Sequence, residues 1–169
     1  MVEIYTGNGK GKTTAALGLA LRAVGNGLKV IMIQFMKGEI SYGELEAARQ
    51  LSSFTIEQYG RPEFVNPEKP EREDINLAQE GLERAQEVIE NKEFDMVILD
   101  EINVAVNFGL IKPDAVIQLI KQTPETIELI LTGRYMPEVF SEFADLVSEI
   151  REVKHPFQKG EPPRKGVEF

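Results

Sequence analysis

The chain contains no cysteine, which excludes disulfides, thiolate metal sites and cysteine nucleophiles. It has one histidine, so no cluster of imidazole ligands is available. No apolar run approaches the ~20 residues needed to cross a bilayer, and the chain starts with no signal-like segment. The expectation is a cytoplasmic protein with no membrane partner. Basic residues are the minority, 19 against 28 acidic, for a net charge of −9. That balance argues against a general nucleic-acid surface. The rest of the composition is ordinary for a globular protein, and the length predicts one domain spanning residues 1–169.

Against this background one stretch stands out: Thr6-Gly7-Asn8-Gly9-Lys10-Gly11-Lys12-Thr13-Thr14. It follows an apolar run (Val2, Ile4) and opens onto Ala15-Ala16-Leu17-Gly18-Leu19-Ala20-Leu21, which reads as strand, glycine-rich turn and helix. Glycines let successive N–H groups turn inward to form an anion nest, and the helix start adds its dipole and free N–H groups. Lys12 is placed to lie along phosphates and the Thr13 hydroxyl to ligate magnesium. The phosphate-loop template asks for Gly, four residues, then Gly-Lys-Ser/Thr. Gly11-Lys12-Thr13 fit, whereas the first position holds Thr6. A turn that merely joined strand to helix would have no use for two lysines and two threonines.

The first helix is predicted over Lys12–Val24, ended by Gly25-Asn26-Gly27. Arg22 reads equally as a solvated helix-end residue or as one reaching for a ligand. Lys29–Phe35 reads as a strand buried on both faces, with Gln34 and Lys37 as candidates at its carboxyl end, where α/β proteins bind ligands. A short helix over Tyr42–Leu51 and a strand over Phe54–Tyr59 follow. Gly60–Pro70 is a loop with three prolines and Phe64 in its middle. Pro70 suits the first position of the next helix, whose stripe is Ile75, Ala78, Leu82, Ala85 and Ile89 and whose end falls near Asn91.

Asp95–Glu101 is the second landmark. Four apolar residues form a buried strand, and Asp100 and Glu101 stand at its carboxyl end, where a phosphate-loop fold keeps the acidic residue that handles magnesium. Lys112-Pro113 begins another helix, stopped by Thr123-Pro124. A strand over Ile127–Thr132 ends in Thr132-Gly133-Arg134, which can aim a guanidinium at phosphate oxygens. A helix near Pro137–Phe143 and a strand near Leu146–Ile150 close the pattern. Residues 63–93 carry ten acidic and four basic side chains and read as a solvated helix face. Residues 151–169 carry five basic and three acidic ones. The alternation predicts a three-layer α/β/α phosphate-loop nucleotide-binding fold with a mainly parallel sheet.

Several of these elements together resemble one family. They are Thr6 to Ala16, Arg22-Ala23-Val24-Gly25, Gln34-Phe35-Met36-Lys37-Gly38, Leu99-Asp100-Glu101-Ile102 and Leu131-Thr132-Gly133-Arg134. The tail Val153-Lys154-His155-Pro156-Phe157, with Lys159-Gly160 and Arg164 to Phe169, belongs to the same set. The chain resembles the phosphate-loop class of ATP:corrinoid adenosyltransferases of cobalamin biosynthesis and salvage. The resemblance implies that a corrinoid cobalt, reduced to Co(I) by an electron donor, attacks the 5′ carbon of ATP and releases triphosphate. Cobalt is then the nucleophile, and the protein need not supply a general base. It implies phosphate binding by Gly7, Asn8, Gly9, Lys10, Gly11 and Lys12, and contacts of Thr14 and Arg22 with phosphate or nucleotide. Magnesium falls to Thr13 with Asp100 or Glu101, and Arg134 stabilises charge on the leaving triphosphate. It also implies a homodimer.

Two departures accompany the resemblance. The family commonly shows Gly-Phe-Thr-Trp in the segment facing the corrinoid, where an apolar wall displaces the lower axial ligand and eases reduction of Co(II). Here the run is Glu63-Phe64-Val65-Asn66, which keeps the Phe and replaces the Trp. Many members also carry a segment before the first strand that covers the corrinoid. Here the strand starts at Val2, so either the basic tail (Lys154, Lys159, Arg164, Lys165) covers the site or the site is more open. Two other readings share the phosphate loop: an ATPase or kinase in which Glu101 orients the attacking group, and a non-catalytic nucleotide- or corrinoid-binding module.

Overall fold

In the computed structural model, which describes residues 1–38, 42–156, 160 and 162–167, strands and helices alternate along the chain. The strands are β1 (Val2–Thr6), β2 (Val30–Phe35), β3 (Phe54–Tyr59), β4 (Met96–Asp100), β5 (Glu128–Thr132) and β6 (Leu146–Glu149). The helices are α1 (Lys12–Gly25), α2 (Gly43–Ala48), α3 (Arg72–Glu90), α4 (Ile102–Asn107) and α5 (Pro113–Gln122), with a 3₁₀ helix over Glu138–Phe143. The strands form one sheet in the order β3-β2-β4-β5-β1-β6, and every pairing is parallel.

Side chains alternate across a strand, and the two faces of this sheet divide accordingly. Ile31, Ile33, Phe35, Val97, Leu99, Leu129 and Leu131 pack beneath α3, α4 and α5. Val30, Met32, Met96, Ile98 and Ile130 pack beneath Ala16, Ala20 and Ala23 of α1 and Ala48 of α2. These are the three expected layers. Alanine on the buried face of α1 lets that helix sit close to the strands, which brings its first turn down onto their carboxyl ends.

Most predicted elements match to within a residue or two. Pro70 is not the first helical position. Glu71 is the N-cap of α3, because Asp74 accepts the Glu71 N–H at 2.9 Å and so starts the helix two residues later. The segment near residues 137–143 is 3₁₀ rather than α. The short α4 is an addition. Five of its six residues are buried, so it shows none of the amphipathic periodicity by which helices are read from sequence.

Candidate active site

The site lies at the carboxyl edge of the sheet, where β1 turns into α1. The turn is held by backbone. Gly9 N–H donates to the Ile150 carbonyl at 2.7 Å, seating the loop on the chain that leaves β6. A Cβ on Gly7 would stand 2.4 Å from Ile150 O, and one on Gly9 2.8 Å from the Arg151 backbone. Gly11, at φ 124°, adopts a conformation that L side chains rarely take. Thr6, which replaces the template glycine, closes β1 opposite Glu149. At that point the chain is still extended and requires no glycine.

Lys12 is buried, and its ammonium donates to the Gly7 carbonyl at 2.8 Å and the Gly9 carbonyl at 2.7 Å. Burial pushes this ammonium below its ordinary value and Arg134 adds to the effect, against the pull of Glu101 and Asp100. Lys12 therefore stands inside the curl of the loop, next to the N–H groups that make the nest.

Beneath the loop runs a polar row that crosses four strands. Gln34 is the register partner of both Gln58 on β3 and Asp100 on β4. Gln58 Nε2 donates to Gln34 Oε1 at 3.0 Å, and Gln34 Nε2 donates to Asp100 Oδ2 at 3.2 Å. From β5 the Thr132 hydroxyl donates to Asp100 Oδ1 at 2.7 Å. The Thr13 hydroxyl donates to the same oxygen at 2.9 Å, and the Lys37 ammonium to Oδ2 at 2.8 Å. Asp100, Gln34 and Thr132 are wholly buried, and a buried carboxylate with four donors is fully satisfied. Burial works against the charge on Lys37, but Asp100 outweighs it and holds that ammonium above its ordinary value.

Glu101 differs from its neighbour. It adopts a left-handed conformation at φ 65°, held by its N–H donating to the Thr132 hydroxyl at 3.0 Å. Its carboxyl is raised above the ordinary value, first by burial and then by the adjacent Asp100, against the pull of Lys37, Lys12 and Arg134. It lines a cavity of about 300 Å³ with Gly9, Lys10, Gly11, Lys12, Thr13, Thr14, Arg134, His155 and Val167. A second hollow of about 480 Å³ opens beside it, lined by Thr13, Thr14, Leu17, Lys37, Tyr42, Glu44, Glu101 and Val167. Asn8 and Arg134 also border a third hollow, with Tyr135, Glu149 and Arg151.

The donor set fits magnesium in one particular way. Asp100 has both oxygens committed to hydrogen bonds, one of them to an ammonium. The Thr13 hydroxyl spends its proton on Asp100, which leaves its lone pairs for a cation, and Glu101 supplies a carboxylate in the same cavity. The tail also reaches this place: Lys10 Nζ donates to the Val167 carbonyl at 3.0 Å, and His155 lines the loop cavity. Phe157, Lys159, Glu168 and Phe169 of the tail lie outside the described residues.

The structure thus brings Gly7 to Thr14, Asp100, Glu101 and Arg134 together. Arg22 is not brought to them. It stands in the last turn of α1, ten residues from Lys12, or about 15 Å along the helix. It shares a hollow with Glu3, Asn26, Asp95 and Glu128 at the opposite edge of the sheet, so of its two readings the geometry matches the solvated helix end. Phe64 is fully exposed, in the loop leaving β3. Thr132 and Gln58 were given no role in the sequence reading. Their signal is register: each is a polar residue on the α1 face of its strand, level with Gln34 and Asp100.

Comparison with known proteins gives the family. Residues 1–169 match the family described as ATP:corrinoid adenosyltransferase BtuR/CobO/CobP. A corrinoid adenosyltransferase of a Sinorhizobium species is 35% identical, over all of this chain and 80% of its own length. That of Escherichia coli K12 is also 35% identical, over all of this chain and 85% of its own length. The Pseudomonas aeruginosa corrinoid adenosyltransferase is 34% identical over 98% of this chain. On the whole-chain match and these identities, the chain belongs to the ATP:corrinoid adenosyltransferase family.

Proposed function

We propose that the loop and the Asp100 row hold the triphosphate of ATP as a leaving group while a corrinoid cobalt attacks the 5′ carbon. The activity class follows from the family: the enzyme transfers the adenosyl group of ATP to a corrinoid in adenosylcobalamin synthesis. The electron pair of Co(I) forms the Co–C5′ bond. The C5′–O5′ bond breaks, its electron pair leaves on triphosphate, and cobalt becomes formally Co(III). No proton moves, so no general base is required.

The observation that carries this reading is the division of labour between the two carboxylates. Asp100 spends its oxygens on Thr13, Gln34, Lys37 and Thr132 and acts as a structural anchor. Glu101 faces the loop cavity with Lys12, Thr13 and Arg134. The loop N–H groups with Lys10 and Lys12 bind phosphate. Thr14, exposed beside Thr13, contacts phosphate or nucleotide. Thr13 and Glu101 would hold magnesium, which supplies positive charge to the phosphates. Arg134 adds a guanidinium where negative charge grows as the C–O bond breaks. Phe64 presents its ring to the corrinoid, and the described tail, through His155 and Val167, closes over the loop.

In this reading residues 1–169 act as one domain, in the cytoplasm, as a homodimer served by a separate reductase. The test is anaerobic mixing of the protein with ATP, magnesium and borohydride-reduced cobalamin. The expected result is loss of the Co(I) absorbance, a light-sensitive alkylcobalamin and stoichiometric triphosphate. Release of ADP from ATP with no spectral change would make the protein an ordinary ATPase.

A further inference from the structure

The loops that leave β2 and β3 cross in backbone contact. A Cβ on Gly38 would stand 1.8 Å from the Gly60 carbonyl oxygen, and one on Gly60 would stand 2.4 Å from both the Lys37 nitrogen and the Met36 carbonyl carbon. Only glycine on both sides permits the approach. Met36 N–H donates to the Tyr59 carbonyl at 2.9 Å, the last rung before the crossing, and Met36 itself is left-handed at φ 57°.

Each strand of this crossing leads somewhere different. On the β2 side the Lys37 ammonium is locked to Asp100 at 2.8 Å and lies 5.4 Å from the centre of the Tyr42 ring. On the β3 side the chain passes from Gly60 to Arg61 and then to Phe64. Arg61 is tied to buried Asp74 by two bonds, at 2.8 and 3.2 Å, so the start of the Phe64 loop is fixed while its tip is exposed. The Gln58–Gln34 bond joins the same two strands just inside the crossing, and Gln34 links them on to Asp100 of β4.

We infer that Lys37 is a positioning residue for the corrinoid: through Asp100 it fixes the backbone on which Gly60 rests, and so sets the Phe64 loop relative to the phosphate site. This deepens the proposed function and rests on its assignment of the Phe64 loop to the corrinoid. Lys37 touches Asp100, so its loss also disturbs ATP binding. The distinguishing property is an effect on the second substrate, delivered through the crossing.

The experiment measures KM for ATP and for pre-reduced cobalamin in full-length variants whose folding is checked by circular dichroism and urea midpoint. Lys37→Met is expected to raise both KM values, each by about tenfold, the scale of one lost charge-assisted hydrogen bond. Thr132→Val removes a different donor from Asp100 and is expected to raise KM for ATP alone. Gly60→Ala forces the crossing apart without touching Asp100 and is expected to raise KM for cobalamin. The Lys37→Met/Gly60→Ala double variant is expected to be no worse toward cobalamin than the worse single variant, since both break one joint. A Lys37→Met enzyme with raised KM for ATP and unchanged KM for cobalamin overturns the inference, as do effects on cobalamin that multiply in the double variant. If Gly60→Ala fails to fold, Gly38→Ala tests the same contact from the other side. Phe64→Ala separates the two levels. If it leaves cobalamin kinetics unchanged, the assignment of the loop has failed. If it alters them while Lys37→Met does not, only the positioning role has failed.

Discussion

The phosphate loop and the Phe64 loop leave the same edge of one sheet and are built in opposite ways. The phosphate loop is determined several times over: three glycines, a backbone bond from Gly9 to Ile150, and Lys12 bonded to two loop carbonyls. A buried carboxylate with four donors lies beneath it. The Phe64 loop is held at its start by the crossing at Gly60 and by Arg61 on Asp74, and in its middle by Val65 against the core, while its aromatic ring is fully exposed. The difference matches the two substrates. A triphosphate offers fixed charges that a preorganised cradle can meet. In the proposed reading the flat face of the corrin ring completes the cover over Phe64.

The comparison breaks most severely at Asp100. Asp100→Ala leaves Lys37, only 19% exposed, without its counter-charge and strips Thr13 and Thr132 of their acceptor. Losing one member of a buried pair costs about 3–5 kcal/mol, so the urea midpoint should fall steeply and activity should be lost with it. Arg134→Ala should come next. Arg134 is exposed, so folding is expected to be unaffected, while kcat falls about a hundredfold, the size expected for removing one donor aimed at developing charge. An unchanged kcat in single-turnover assays would remove Arg134 from the chemistry.

Phe64→Ala sharpens the contrast from the other side. With the ring fully exposed, stability should shift by less than about 0.5 kcal/mol. Adenosylation starting from Co(II) substrate should slow far more than adenosylation of pre-reduced Co(I), and equal slowing of both would count against a role in reduction. At Asp74 the expected effect is on stability and its pH dependence. Its hydrogen bonds from Arg61, with the one from the Glu71 backbone N–H, outweigh burial and hold the carboxyl below its ordinary value. A depressed acid contributes its stability above the unfolded value and loses it as pH falls through the folded one. Asp74→Asn should therefore lower the urea midpoint at pH 7, by an amount that shrinks below about pH 4.

How far the sequence revealed this molecule depended on whether local pattern or tertiary register carried the information. The strands were legible because β2, β4 and β5 contain short apolar runs and β3 alternates in strand-forming residues, and the loop was legible because glycine, lysine and threonine recur at a spacing with a mechanism. Asp100 and Glu101 were legible as a pair, but their separate tasks were not. The sequence places them side by side, and only the left-handed turn at Glu101 sends one carboxylate under the loop and the other into the cavity. Thr132 and Gln58 escaped notice because their partners are 32 and 24 residues away, across strand pairings no local window contains. Arg22 shows the converse. It belongs to a run that resembles the family, yet ten residues of helix carry it to the far edge of the sheet. The crossing at Gly38 and Gly60 was equally hidden, since each glycine alone reads as an ordinary turn.

The central claim is that the loop holds a leaving triphosphate rather than a phosphate group being transferred. Its most direct test uses ATP carrying a heavy oxygen isotope at the bridge between C5′ and the α-phosphorus, incubated with the enzyme and reduced cobalamin, with products read by mass spectrometry. The account predicts that the label leaves on triphosphate and that the adenosylcorrinoid carries none at C5′. Label retained in ADP, with unlabelled phosphate released, would mean that the bond broken lies between phosphates and would contradict the account.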